Sequence, residues 1–211
     1  MPAEHIRPLK DVWLRPRRVF RELATHPVDR TDYLLGAAQG VVGWLTASRT
    51  INAGATLSLV QILGKAALFG PIAGVATLFL FAEIYTRLSR RMGVRAPRDQ
   101  VVHVLAYGSM PIAASLGIWV LIALIVGEPT FIQTHAPEEG FVALLFYAQS
   151  AANALLMVWS AVLQIMGFSE IQGLLTRKAF GIWLLGQLIG MLAALVLLWL
   201  IAALLPAAGP A

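Results

Sequence analysis

Apolar residues in this chain fall into blocks separated by short polar clusters. Five blocks, at about residues 33–48, 66–86, 101–126, 141–167 and 179–205, approach or exceed the roughly 20 helical residues needed to cross about 30 Å of hydrocarbon. Lipid offers no partner for a free backbone N–H or C=O, so such blocks must be helices. The pattern predicts an all-α fold: a polytopic transmembrane helical bundle of five spans over residues 33–205. A polar arm, 1–32, precedes it and a short tail, 206–211, follows.

Within the arm, RPRRVFRELA begins at Arg15 and places Pro16 in a first helical turn, where its missing N–H costs little. Val19, Phe20 and Leu23 then share one face, and Arg17, Arg18 and Arg21 lie around the other, which predicts a short N-terminal amphipathic helix. Trp13 and Leu14 precede it. The helix lies in the membrane interface, with Arg15, Arg17, Arg18 and Arg21 on anionic headgroups, or packs on the cytosolic ends of the bundle, and the two placements are not exclusive. The arm has no apolar run behind a short basic start, so no cleavable signal is expected. Pro27, Asp29, Thr31 and Asp32 read as a turn and helix cap.

The first span carries Gly36 and Gly40, the second Gly70 and Gly74, and the last Gly186 and Gly190. This repeated spacing predicts small-residue faces for close helix approach. Residues 51–65 include the helix-averse NAGAT with Gln61 and Lys65, and read as a short outer-surface helix. Glu83 stands four residues before Arg87, the favourable order for a helical ion pair near the membrane boundary; the alternative is a proton- or ion-carrying carboxylate.

Arg87, Arg90, Arg91, Arg95 and Arg98 crowd the next loop and assign it to the cytosol. In the third span, Pro111 removes the hydrogen bond to the Tyr107 carbonyl and crowds that turn. His103, Tyr107 and Pro111 follow at i, i+4 and i+8, with Gly108 and Ser109 allowing close approach. This is a candidate polar notch, or a packing kink whose free carbonyl is satisfied by Ser109 or a neighbouring helix. Gln149, Asn153, Ser160 and Gln164 of the fourth span fall within about 60° of one another at helical pitch, a candidate polar stripe. Such amides either line a path or join helices by hydrogen bonds.

Placing the arm, the arginine loop and the Arg177–Lys178 loop in the cytosol accounts for 14 of the 16 Lys and Arg, leaving Arg49 and Lys65 outside. The loop around 127–140 has no Lys or Arg and carries Glu128, Glu138 and Glu139, as expected on the other side. The topology is N-terminus in and C-terminus out, in an inner (plasma) membrane. Composition agrees: of 211 residues 58% are hydrophobic and 13% charged, and mean hydropathy is +0.74, outside the range of soluble domains. The net charge of +5 does not indicate nucleic acid, because the cations sit beside apolar spans, where they mark topology and anionic lipid headgroups. There is no cysteine. His103, His135 and the other two histidines have no metal-ligand spacing, and no HExxH, GxSxG or paired intramembrane carboxylates occur. No cofactor, metal or enzymatic activity is expected.

The segments WLRPRRVFRELA, AYGSMP and VWSAVLQIMGFSEIQGLLTRKAF together resemble the Yip-one domain family, the Ypt/Rab-interacting multi-pass membrane proteins and their bacterial relatives. The resemblance covers almost the whole chain. It implies a cytosolic N-terminus before five spans, a Tyr leading to a Pro in the third (Tyr107, Pro111), and a Trp followed by a small-residue turn between the last two (Trp159, Gly167, Lys178). The eukaryotic members' long cytosolic region and DLYGP-type motif have no counterpart here, so Rab binding is not carried over. The expected role is non-enzymatic: organising protein partners or lipids at the cytosolic face, with a second copy or another membrane protein as partner. The alternative is a transporter of a small solute, ion or lipid that uses the notch and the stripe.

Overall fold

A computed structural model describes residues 7–94, 96–133 and 140–204, and every regular element within them is a helix. The arm holds α1 (Pro8–Asp11) and α2 (Pro16–Leu23). The bundle holds α3 (Arg30–Thr50), α4 (Leu59–Arg91), α5 (Arg98–Gly108), α6 (Met110–Val126), α7 (Gly140–Gln172) and α8 (Thr176–Leu204). Among the described residues, Leu59–Arg91, Arg98–Val126 and Gly140–Gln172 are each long and apolar enough to cross a membrane. Arg95, His135, Glu138, Glu139 and the 206–211 tail lie outside the described residues.

Two helix starts follow directly from local chemistry. Asp29 accepts from the N–H of Thr31 (2.8 Å) and of Asp32 (3.3 Å), while Asp32 accepts from the Asp29 N–H (2.9 Å), a reciprocal cap on α3. Ser58 and Gln61 form the same box on α4. The second box corrects the reading of 51–65 as a surface helix. Asn52 is left-handed (φ 54°), Ala53–Ala55 makes one 3₁₀ turn, and the remainder belongs to α4, which begins at Leu59 and runs through Pro71.

Helices α3 and α4 touch backbone to backbone. A Cβ on Gly40 would overlap the Gly70 carbonyl and Gly74, and one on Gly74 would overlap the Gly36 carbonyl. The glycines of α8 serve a different purpose: Gly186 receives the Tyr85 ring and Gly190 the Phe81 ring, both from α4. Tyr85 is fully buried and its hydroxyl donates to the Trp183 carbonyl at 2.9 Å.

The third apolar block is two helices meeting at Ser109. Around α5 stand α2, α3, α4 and α7, and every residue from Val101 to Ser109 is buried. In α6 burial contracts to one stripe, Pro111, Ser115, Trp119, Ile122 and Ala123, as expected of a helix with lipid on one side. The core divides accordingly. One cluster surrounds α5 with Phe20, Tyr85, Phe168 and Ile182; the other, at the opposite end, gathers Leu45, Ile62, Trp119 and Phe131.

The arm contributes to the first cluster. Val19 and Phe20 are fully buried and Leu23 nearly so, against α5 and α7, while Arg17, Arg18 and Arg21 face outward. Of the two placements read from sequence, α2 thus shows packing on the bundle. At the other end the connections lock together: the Gln133 N–H donates to Asn52 Oδ1 (2.7 Å), the Leu59 N–H donates to Glu128 (3.1 Å), and Phe131 stacks on Trp119 with centroids 6.0 Å apart.

Candidate functional site

His103 is buried and points away from the α5–α6 break. Its Nδ1 is 2.9 Å from Asp32 Oδ1 and its Nε2 3.1 Å from the His26 carbonyl, so both ring nitrogens face acceptors. Both contacts become hydrogen bonds when both nitrogens carry protons, which makes the pair charge-assisted. Asp32 also caps α3, so one carboxylate ties together the arm, α3 and α5. Tyr107 packs beside His103 with ring centroids 6.4 Å apart, and its hydroxyl lies beside Thr31.

Around the break itself the partners come from α7. The carbonyl that receives a cross-helix donor is that of Gly108, not the Tyr107 carbonyl expected from Pro111: Ser160 Oγ donates to it at 2.8 Å. The Ser109 hydroxyl turns back to Ala106 (2.9 Å), and Pro111 occupies the first turn of α6, where no N–H is needed. Gln164 lies over Gly108, approaches Ser160 at 3.5 Å, and accepts from the Trp183 indole at 2.9 Å. The polar groups therefore run in sequence from α5 through α7 to α8, each with a partner.

The predicted four-residue stripe is thus divided. Ser160 and Gln164 join the break, whereas Gln149 and Asn153, two to four turns earlier in α7, face a different environment. Gln149 Oε1 takes a long contact from Arg49 Nη1 (3.4 Å), but Gln149 Nε2 and Asn153 Oδ1 are buried without a hydrogen-bond partner, as is the Trp119 indole N–H. Asn153 and Trp119 line a cleft of about 980 Å³ between α3 and α7, floored by Ile112, Ser115 and Trp119 of α6. Arg49 stands at its outer end, 4.7 Å above the Phe146 ring. Among the described residues no carboxylate pairs with it.

Lys65 lies near the start of α4, and the cations of the arm and of the end of α4 occupy the α5 end. Arg21 binds Glu170 through Nη2 (2.7 Å) and Nε (2.8 Å), and Arg17 reaches Thr176 at 3.4 Å, fastening the arm to the α7–α8 turn. Arg15 and Arg18 are exposed on the arm, and Arg90 and Arg91 at the end of α4. Arg87 Nε is 2.6 Å from Glu83 Oε1 in a solvent-accessible i,i+4 pair, with Arg98 at 3.9 Å from the other oxygen. Among the described residues no three His, Asp or Glu side chains are grouped to hold a metal ion.

Sequence reading missed Arg49, Trp119 and Trp183 as participants and gave Asp32 only a capping role. Asp32 was detectable as a carboxylate inside the first turn of a span. The others carry no local signal, because their meaning depends on which helices adjoin.

The family model for the Yip1 domain matches residues 10–198 of this chain. No curated protein and no solved structure matches it.

Proposed function

This chain belongs to the Yip1 domain family, and on that premise we propose that it is a non-enzymatic, five-span membrane protein organising protein partners or lipids at its cytosolic face. Helices α3 and α8 are the two further spans in this reading, and the α5 end is the cytosolic end. The observation that carries it is the seating of the arm: Val19, Phe20 and Leu23 are spent inside the bundle, so α2 turns its arginines outward and forms, with the exposed Arg90 and Arg91 of the same end, a cationic rim. Such a rim favours anionic headgroups or an acidic partner surface.

Photo-crosslinking tests this. A photoreactive residue in place of Leu14, which is 84% exposed, should give protein or anionic-lipid adducts in intact membranes. Combined R17E, R18E, R90E and R91E should abolish them, and equal adduct yield from the charge-reversed chain would overturn the reading.

The second reading, transport of a small solute, ion or lipid, is favoured by the cleft beside α6. Its expected machinery is reduced, since the break, Ser160 and Gln164 are engaged in packing. Flux into liposomes above that of empty vesicles, lost in Asn153→Leu, would support it; no flux would exclude it.

A further inference from the structure

We infer that the cleft between α3 and α7 is a binding site for one anionic phospholipid of the outer leaflet, with Arg49 taking the phosphate and the cleft taking acyl chain. The leaflet follows from the orientation proposed above; the site does not depend on the cationic rim.

Three features point to this ligand class. The first is shape. Along α3 the cleft runs from Gln39 to Ile51, about 18 Å at helical rise, close to the half-thickness of a bilayer core of about 30 Å. Its volume of about 980 Å³ lies at the upper end of the range of small-molecule sites, about 300–1,000 Å³. Thr46 and Ala47 on one wall, with Ser150 and Met157 on the other, are exposed, so the cleft opens sideways, in the direction from which a lipid arrives.

The second feature is polarity along its length. Toward the far end the lining is mostly apolar or small, with Val42, Gly74, Ile112, Leu156 and Met157, and its polar groups there, Gln39 and Thr77, are uncharged. Arg49, Thr50 and Gln133 lie at the outer end, where α3 stops and the connections begin. A solute site would close over its ligand with polar groups, whereas this gradient is that of an amphiphile.

The third is unused bonding capacity. Arg49 is half-buried over Phe146, with the long contact to Gln149 as its one hydrogen bond among the described residues. A guanidinium forms bidentate bonds with phosphate oxygens. Gln149 and Trp119 are 1% and 2% exposed, and each has an N–H without an acceptor; Asn153 has an unpartnered carbonyl. Buried polar atoms are normally satisfied; of these three, Asn153 and Trp119 line the cleft and Gln149 stands beside Arg49 at its outer end. At the α5 end His103, Ser160, Gln164 and Trp183 each have a partner, and among the described residues Gln172 Oε1 is the one buried side-chain atom there without one.

The test uses the full chain in mild detergent, titrated with dioleoyl phosphatidylglycerol or dioleoyl phosphatidylcholine and read by native mass spectrometry. One phosphatidylglycerol should be retained in preference to phosphatidylcholine. Arg49→Gln should weaken that retention by at least about tenfold, the loss of one charge-assisted contact. Ala47→Trp, at an exposed wall position, should also weaken it by filling the cleft, and guards against a folding defect specific to Arg49. R90Q with R91Q should leave it unchanged, separating this site from the cationic rim. Equal retention by wild type and Arg49→Gln, equal retention of the two lipids, displacement by equimolar oleate, or a dimer that shields Ala47 from labelling would each overturn the assignment.

Discussion

The two sides of the Ser109 break handle polar groups in opposite ways. On the α5 side, nine consecutive residues are buried on all faces, and His103, the Gly108 carbonyl, Gln164 and Trp183 are linked through named partners. On the α6 side, one stripe is buried, Trp119 and Asn153 have unpartnered atoms at an open cleft, and Gln149 has one beside Arg49. Apart from Trp183 of α8, both polar sets lie on the same two blocks of sequence. The difference is coverage: α5 is enclosed by four elements, including the arm, whereas α3 and α7 stand apart over α6. Polarity inside a membrane protein thus serves architecture where helices converge and becomes available to a ligand where they diverge.

The comparison is broken most severely at Asp32. Asp32→Ala leaves His103 buried and uncompensated and removes half of the α3 cap, so stability in detergent should fall by about 3–5 kcal/mol. Adding His103→Leu should recover much of that loss, because removing both partners is far less costly than removing one. No recovery would mean that the pair is not the unit holding α5 to α3 and the arm.

Gly40→Leu should come next. The new side chain meets Gly70 and Gly74 backbone, which cannot give way as a flexible side chain would, and overpacking of this kind costs about 1–3 kcal/mol or more. Gly43→Leu, with nothing near its Cβ direction, is the control and should be close to neutral by the same thermal measurement.

A smaller effect sharpens the picture at the outer cap. The N–H of Leu59, then its own backbone N–H, hold the Glu128 carboxylate below the usual glutamate range. A pKa lower in the folded than in the unfolded state stabilises above the unfolded value, and that contribution is lost as pH falls through the folded value. The stability difference between wild type and Glu128→Gln should therefore shrink on acidification below the ordinary glutamate pKa. Glu128 is exposed, so a difference constant with pH would assign its effect to packing.

Sequence reading marked apolar blocks long enough to cross a membrane and an interruption close to Pro111 in the third, which falls at Ser109, because each is written in local periodicity or in a residue with fixed backbone consequences. It failed where meaning depends on neighbours. Gln149, Asn153, Ser160 and Gln164 share a face by helical pitch, yet the first two adjoin a cleft and the last two adjoin α5 and α8. Gly186 and Gly190 have the spacing of a helix-approach motif but act as seats for Tyr85 and Phe81, since the partner helix presents rings there. Arg49 was legible only as a charge at a span end; its position beside Phe146 and the cleft comes from α3 and α7 both packing on α6.

The most direct measurement compares thermal unfolding of Ser160→Ala and Asn153→Leu in detergent with neutral lipid. Ser160→Ala removes a hydrogen bond to Gly108 and should destabilise by about 0.6 kcal/mol, the average for such bonds between membrane helices. Asn153→Leu removes an unpartnered polar atom and should be neutral or stabilising. Opposite signs are the predicted result. Destabilisation of similar size in both would contradict the account, since it would mean that the two halves of the polar stripe do the same structural work.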